Sequence, residues 1–130
     1  MAIDLTDEMS NRLVADQYGW LTTIAKSGLP VPRLIWFHFD GSAIYLYTMP
    51  GAAKVAHIRR HPQVSLNLDS DGNGGGIVVV AGTARVDAEG VDARSDRPYW
   101  AKYSAAAEQF GLTEAMEQYR TRIRIDIEKV

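Results

Sequence analysis

A chain of 130 residues, 46% hydrophobic and 23% charged, is long enough for one cored domain and is not a disordered polymer. Its 14 basic and 16 acidic side chains leave a formal charge of −2, so no bulk attraction to nucleic acid or an anionic membrane is expected. Zero cysteines exclude disulfides, thiolate nucleophiles and cysteine-ligated metal centres.

The first segment reads as a helix. Thr6 is placed to cap it, Asp7 and Glu8 suit the positive end of its dipole, and Leu5, Met9 and Leu13 recur every four residues. No basic residue precedes Arg12, which argues against a secretory signal, and the longest apolar run, residues 77–81, is far too short to span a membrane. A soluble, cytoplasmic protein is expected. After Gly19 the period changes from four to two, and strands are expected over 20–25, 31–39 and 43–48, with Lys26-Ser27-Gly28 and Asp40-Gly41 as turns. Met49-Pro50-Gly51 breaks the pattern. Residues 52–60 read as a short helix with Val55 and Ile58 inward, ended by His61-Pro62. Residues 64–68 alternate like a half-buried strand, 69–76 are a glycine-rich loop, and 77–86 form a long strand in which Gly82 marks a bulge or bend. Residues 87–118 are helical in composition, with breaks near Pro98 and Gly111. The last ten residues alternate, with Ile123, Ile125 and Ile127 on one face. Six strands joined mostly by hairpins, with flanking helices, predict a mainly β (α+β) antiparallel barrel in one domain; a parallel sheet would need longer crossovers. A small closed barrel has little internal room, so a sizeable ligand belongs on its outside or between two copies.

The most informative stretch runs from Tyr47 through Thr48, Met49, Pro50 and Gly51 to Lys54. A strand ends, a turn follows, and a helix begins with small residues and a lysine in its first turn. Unpaired amides, the helix dipole and Lys54 would converge on one anion. The alternative for the same residues is a solvated basic helix. His57 and His61 have the i, i+4 spacing of a metal pair, but the carboxylate of the usual motif is missing and no metal is expected. The glycine run at 72–76 lacks the lysine and helix of a phosphate loop and reads as a hairpin loop. In Trp36-Phe37 neighbouring side chains must point opposite ways, so one of the two faces a cofactor, a partner or solvent.

The order of these pieces, from Trp20–Ala25 through Gly28-Leu29-Pro30 and Ile35–Gly41 to Lys54–Pro62 and Ala81-Gly82-Thr83-Ala84, resembles the split β-barrel superfamily of pyridoxamine 5′-phosphate oxidase-like flavoproteins. More narrowly it is similar to the branch that uses the deazaflavin coenzyme F420. The resemblance implies a homodimer with a cofactor in each groove between subunits, and a lysine after the third strand that binds the cofactor phosphate; here this is Lys54, beside the Ala53 amide. It further implies Leu34, Ile35 and Trp36 under the ring, Tyr47, Thr48 and Met49 along the phosphate side, Gly76 and Ile77 near the ring from one subunit or the other, and Arg60 at the phosphate or an acidic tail. The C-terminal tryptophan and arginine–histidine cluster of the vitamin B6 oxidases are missing, which disfavours that activity. The implied function is hydride transfer from reduced F420 to an electron-poor small molecule such as an enone, lactone, quinone or tetrapyrrole. A flavin mononucleotide oxidoreductase of the same fold and a non-catalytic cofactor-binding protein are the alternatives.

Overall fold

The computed structural model describes residues 5–130; the first four, part of the segment read above as non-secretory, lie outside it. The elements are α1 (Asp7–Ala15), β1 (Gly19–Ile24), β2 (Pro30–Ile35), β3 (His38–Phe39), β4 (Ala43–Thr48), α2 (Ala53–Arg60), β5 (Gln63–Asn67), β6 (Val79–Glu89), α3 (Arg97–Gln109) and β7 (Thr121–Lys129), with short 3₁₀ turns at Ala93–Ser95 and Ala115–Gln118. Thr6 caps α1 through a 3.2 Å bond from the Met9 amide to its hydroxyl oxygen, and Leu13 is fully buried. No helix among the described residues is long and apolar enough to cross a membrane.

Among the described residues there are seven strands rather than six, in one antiparallel sheet ordered β2-β1-β5-β6-β7-β4-β3. The strand expected over 31–39 breaks at Trp36 and Phe37. Those two residues carry the chain from one edge strand, β2, to the other, β3, so the sheet must curl until its edges lie within a two-residue reach. β2 and β3 share no ladder, and the barrel is therefore split rather than closed. Phe37 is sealed inside the curled sheet with Leu21, Leu46, Leu66, Val80, Ile123 and Ile125. Trp36 points the other way and stacks on Tyr103 of α3, centroids 4.6 Å apart and planes 5° from parallel.

Two expectations shift by local chemistry. Gly82 marks a register irregularity between β6 and β7, as its position suggested. β6 runs on to Glu89, so the helical region starts later than residue 87. Pro98 sits in the first turn of α3 instead of breaking it, because a first-turn proline lacks only an amide that had no helical partner. Gly111, at φ +69°, follows the end of α3.

Lys102 anchors α3 to the barrel seam. Its ammonium donates to the Phe37 carbonyl at 2.9 Å and sits 4.2 Å from the Phe37 ring centroid. Burial lowers its pKa to about 8. The folded state thus releases this proton more readily than the unfolded chain, so stability contributed at this site rises with pH between about 8 and the ordinary lysine value of 10.5. Wild type should therefore gain stability relative to Lys102→Met as denaturation is measured from pH 7 to pH 9.5. A gap that stays constant would contradict the burial of this charge.

Candidate functional site

A groove of about 280 Å³ opens between the barrel wall and the α3 side of the molecule. The barrel supplies Leu34, Ile35 and Trp36 from the end of β2, Tyr47 from β4 and Lys54 from α2; the other wall is Tyr99, Leu112, Met116 and Tyr119. Local sequence explains the placement. β2 is an edge strand whose Leu34 stays largely exposed, and Asp96 ties the two walls together, capping α3 while accepting the Tyr47 hydroxyl at 2.7 Å. Tyr47, Tyr99 and Tyr103 then pack ring on ring, with Tyr47 meeting Tyr99 edge-on at 4.8 Å. Burial, followed by the hydrogen bond to Asp96, raises the Tyr47 phenol far above its ordinary pKa.

Lys54 is the charged residue of the groove. Thr48 lies at the end of β4, is 2% exposed, and its hydroxyl oxygen accepts from the Lys54 ammonium at 3.2 Å. No carboxylate pairs with Lys54 among the described residues. Burial first, and the like charge of Arg33 second, lower its pKa below the usual lysine value. The Ala53 and Lys54 amides, in the first turn of α2, have no acceptor inside the helix, and Ala52 offers no side-chain cap. Two cations, free amides and no counter-carboxylate describe a place that favours an anion.

Of the sequence-derived residues, Leu34, Ile35, Trp36, Tyr47 and Lys54 meet in this groove, with Thr48 behind the lysine. Ala53 is exposed at the helix start. Met49 lines a different depression with Glu117 and Arg120. Arg60 faces another one, with Pro50, Gly51 and Ala56. Gly76 and Ile77 do not line the groove: Ile77 lies beside Trp20 and Val79, and the Gly76 carbonyl accepts from the Arg12 guanidinium at 2.8 Å. His57 Nδ1 lies 2.9 Å from the Thr23 hydroxyl. Sequence reasoning passed over Arg33, Tyr99, Leu112, Met116 and Tyr119. The clue for Arg33 was its place two residues before Ile35 on the same strand; the other four sit in a region legible only as helical.

Residues 5–130 match the family described as pyridoxamine 5′-phosphate oxidase. No curated protein matches the chain. Among solved structures, one named F420 Reductase is 22% identical, with 95% of this chain and 96% of that one covered and a TM-score of 0.72. A conserved hypothetical protein, Rv2991 of Mycobacterium tuberculosis, is 24% identical over 97% of this chain and 82% of that one, again at 0.72. HutZ, a heme storage protein of Vibrio cholerae, is 15% identical over 95% and 87%, at 0.61. Proteins with such different names share the curled barrel, so these likenesses speak to fold alone. The match across residues 5–130 does more: the chain belongs to the pyridoxamine 5′-phosphate oxidase family.

Proposed function

We propose that this protein is a reductase that binds coenzyme F420 with its phosphate on Lys54 and its ring along Leu34-Ile35-Trp36. The observation that carries the reading is a half-buried lysine with no carboxylate partner among the described residues, lining an aromatic-walled groove beside Arg33. The residues fit such a group by their own chemistry. Lys54, Arg33 and the first-turn amides suit a phosphate, and the exposed edge of β2 offers flat backbone and Leu34 to a ring. When bound, the reduced coenzyme supplies a hydride, and the protein contributes position and exclusion of water. That division of labour accounts for a groove without a legible acid–base pair. The preference for the deazaflavin over flavin mononucleotide rests on the sequence resemblance and on the name of one structural relative.

Titration of the protein with each cofactor tests this. Saturable F420 binding and oxidation of the reduced form by enones or quinones are expected. Tight flavin mononucleotide binding with no saturable F420 binding would instead favour the flavin reading, and tight F420 binding without turnover the carrier. Lys54→Ala should weaken F420 binding by about 1.5–3 kcal/mol while leaving the melting temperature undiminished, since it removes a desolvated, unpaired charge. An unchanged dissociation constant would refute the phosphate site. Affinity should also fall with rising pH earlier than an ordinary lysine would allow, because Lys54 loses its proton below 10.5 in the free protein.

The proposal includes a homodimer that completes the groove. Its 280 Å³ falls short of the roughly 300–1,000 Å³ of typical small-molecule sites. Alongside, exposed Leu34 and Trp20 pair across β2 and β1, and exposed Val79 and Ile77 follow beyond the half-buried, polar Asn67 of β5. Such an apolar stripe is the kind of surface a second copy covers. Val79→Asp should shift the protein to monomers by sedimentation velocity and weaken F420 binding; a wild-type monomer that binds F420 fully would exclude a shared site.

A further inference from the structure

The glycine-rich loop between β5 and β6 carries the dipeptide Asn73-Gly74, and both residues are exposed. The loop is closed by a bond from the Asp71 amide to the Gly75 carbonyl at 2.9 Å. One oxygen of the Asp71 carboxylate then accepts from the Asn73 amide at 2.8 Å and from the Gly75 amide at 3.0 Å. The amide between those two, that of Gly74, has no acceptor among the described residues. The Asn73 carboxamide has no hydrogen-bond partner among them either. Gly74 stands at φ +85°, with open space where a β-carbon would be, so nothing shields its amide from the neighbouring side chain. A nucleophile and an electrophile on adjacent residues are thus both left free.

The other places where this chemistry could occur are closed to it. Asn11 lies inside α1 before Arg12, and Asn67 is laddered to Trp20 and Val79 before Leu68, so regular backbone and a following side chain hold the next amide away. Asp40 and Asp71 also precede glycine. Against the cost of burial, the Ala43 and Ser42 amides hold the Asp40 carboxyl below its ordinary pKa, and the Asn73 and Gly75 amides do the same for Asp71. Both stay ionised, and a carboxylate repels a nucleophile that a carboxamide admits. We infer that Asn73 is a site of spontaneous covalent modification, converted through a cyclic imide with Gly74 into aspartate and isoaspartate. The Gly74 nitrogen forms a bond to the Asn73 side-chain carbonyl carbon and gives up its proton, and ammonia leaves with the electrons of the broken bond. Water then adds to either imide carbonyl and opens the ring, with no change of oxidation state. Each event turns a neutral residue into a carboxylate and takes the formal charge from −2 to −3.

The test needs neither coenzyme nor substrate. Purified protein is aged at body temperature in mildly alkaline buffer made with heavy-oxygen water, beside a synthetic peptide spanning residues 69–76. A more acidic species should grow in ion-exchange chromatography, and the peptide fragment holding Asn73 should lose ammonia and gain one heavy oxygen. Its rate should lie within roughly threefold of the free peptide's, because the fold leaves both reacting groups open. Asn11 and Asn67 should remain amides. Asn73→Ser should abolish the acidic species. That variant should keep the fold, since the Arg12 guanidinium grips both ends of the loop, at the Asp69 carbonyl (2.7 Å) and the Gly76 carbonyl (2.8 Å). An intact Asn73 after the free peptide has reacted, conversion at Asn11 or Asn67 instead, or an acidic species that persists in Asn73→Ser would each overturn the assignment.

Discussion

Gly82→Ala is expected to destabilise the protein by about 3–5 kcal/mol, enough to lower the melting temperature by roughly 10–20 °C. A β-carbon at this position would lie 2.0 Å from the Asp126 carbonyl oxygen, 2.9 Å from its carbon and 3.1 Å from the Ile127 α-carbon. All three atoms are backbone, so no side chain can swing aside. Gly82 is buried and paired on both flanks, to Val64 of β5 and to Ile127 of β7, at the bulge where the β6–β7 register slips. Relief would require opening a central ladder of the sheet. Gly51→Ala is the comparison: nothing lies within 4 Å of a β-carbon there, so its melting temperature should stay within about 2 °C of wild type. Equal stability of the two variants in thermal melts would contradict the packing at the bulge.

Tyr103→Phe is the second large effect, at about 3 kcal/mol. The Phe37 amide donates to the Tyr103 hydroxyl oxygen at 2.7 Å, and the hydroxyl lies 2.8 Å from the Gln17 carbonyl and 2.7 Å from that of Phe37. Lys102 already donates to the Phe37 carbonyl, which leaves the tyrosine proton for Gln17. Removing one oxygen strands a fully buried amide and a carbonyl, each costing roughly 1–3 kcal/mol when unmet. The damage falls on the two-residue seam that joins the sheet edges and holds Trp36 over the groove. The Tyr99 hydroxyl has no hydrogen-bond partner among the described residues, so Tyr99→Phe deletes the same atom from the same helix without that loss. Chemical denaturation of the pair should separate them clearly. A Tyr103→Phe curve that overlays the Tyr99→Phe curve would mean the seam is held by other contacts.

Hairpins, the α2 helix, the bulge at Gly82 and the anion-friendly start of α2 were all written locally: alternation, turn residues, a glycine in a long apolar strand, and small residues followed by Lys54. These signals depend on a few neighbours along the chain, which is why they were readable one segment at a time. The break at Trp36-Phe37 was not, since both residues favour strands and it is the distant helix α3, through Lys102 and Tyr103, that replaces the missing ladder bonds. The same holds for the groove. Lys54 could be singled out as a cation at a helix start, but its burial, its closeness to Arg33 and the lack of a carboxylate partner among the described residues are consequences of how strands and helices pack. Tyr99 looked like one aromatic in a helical stretch. Folding the α3 wall against β4 buried its ring beside Tyr47 in the wall of the groove, and that pairing of distant surfaces exists only in the tertiary structure because contact energies are set by position in space rather than order along the chain.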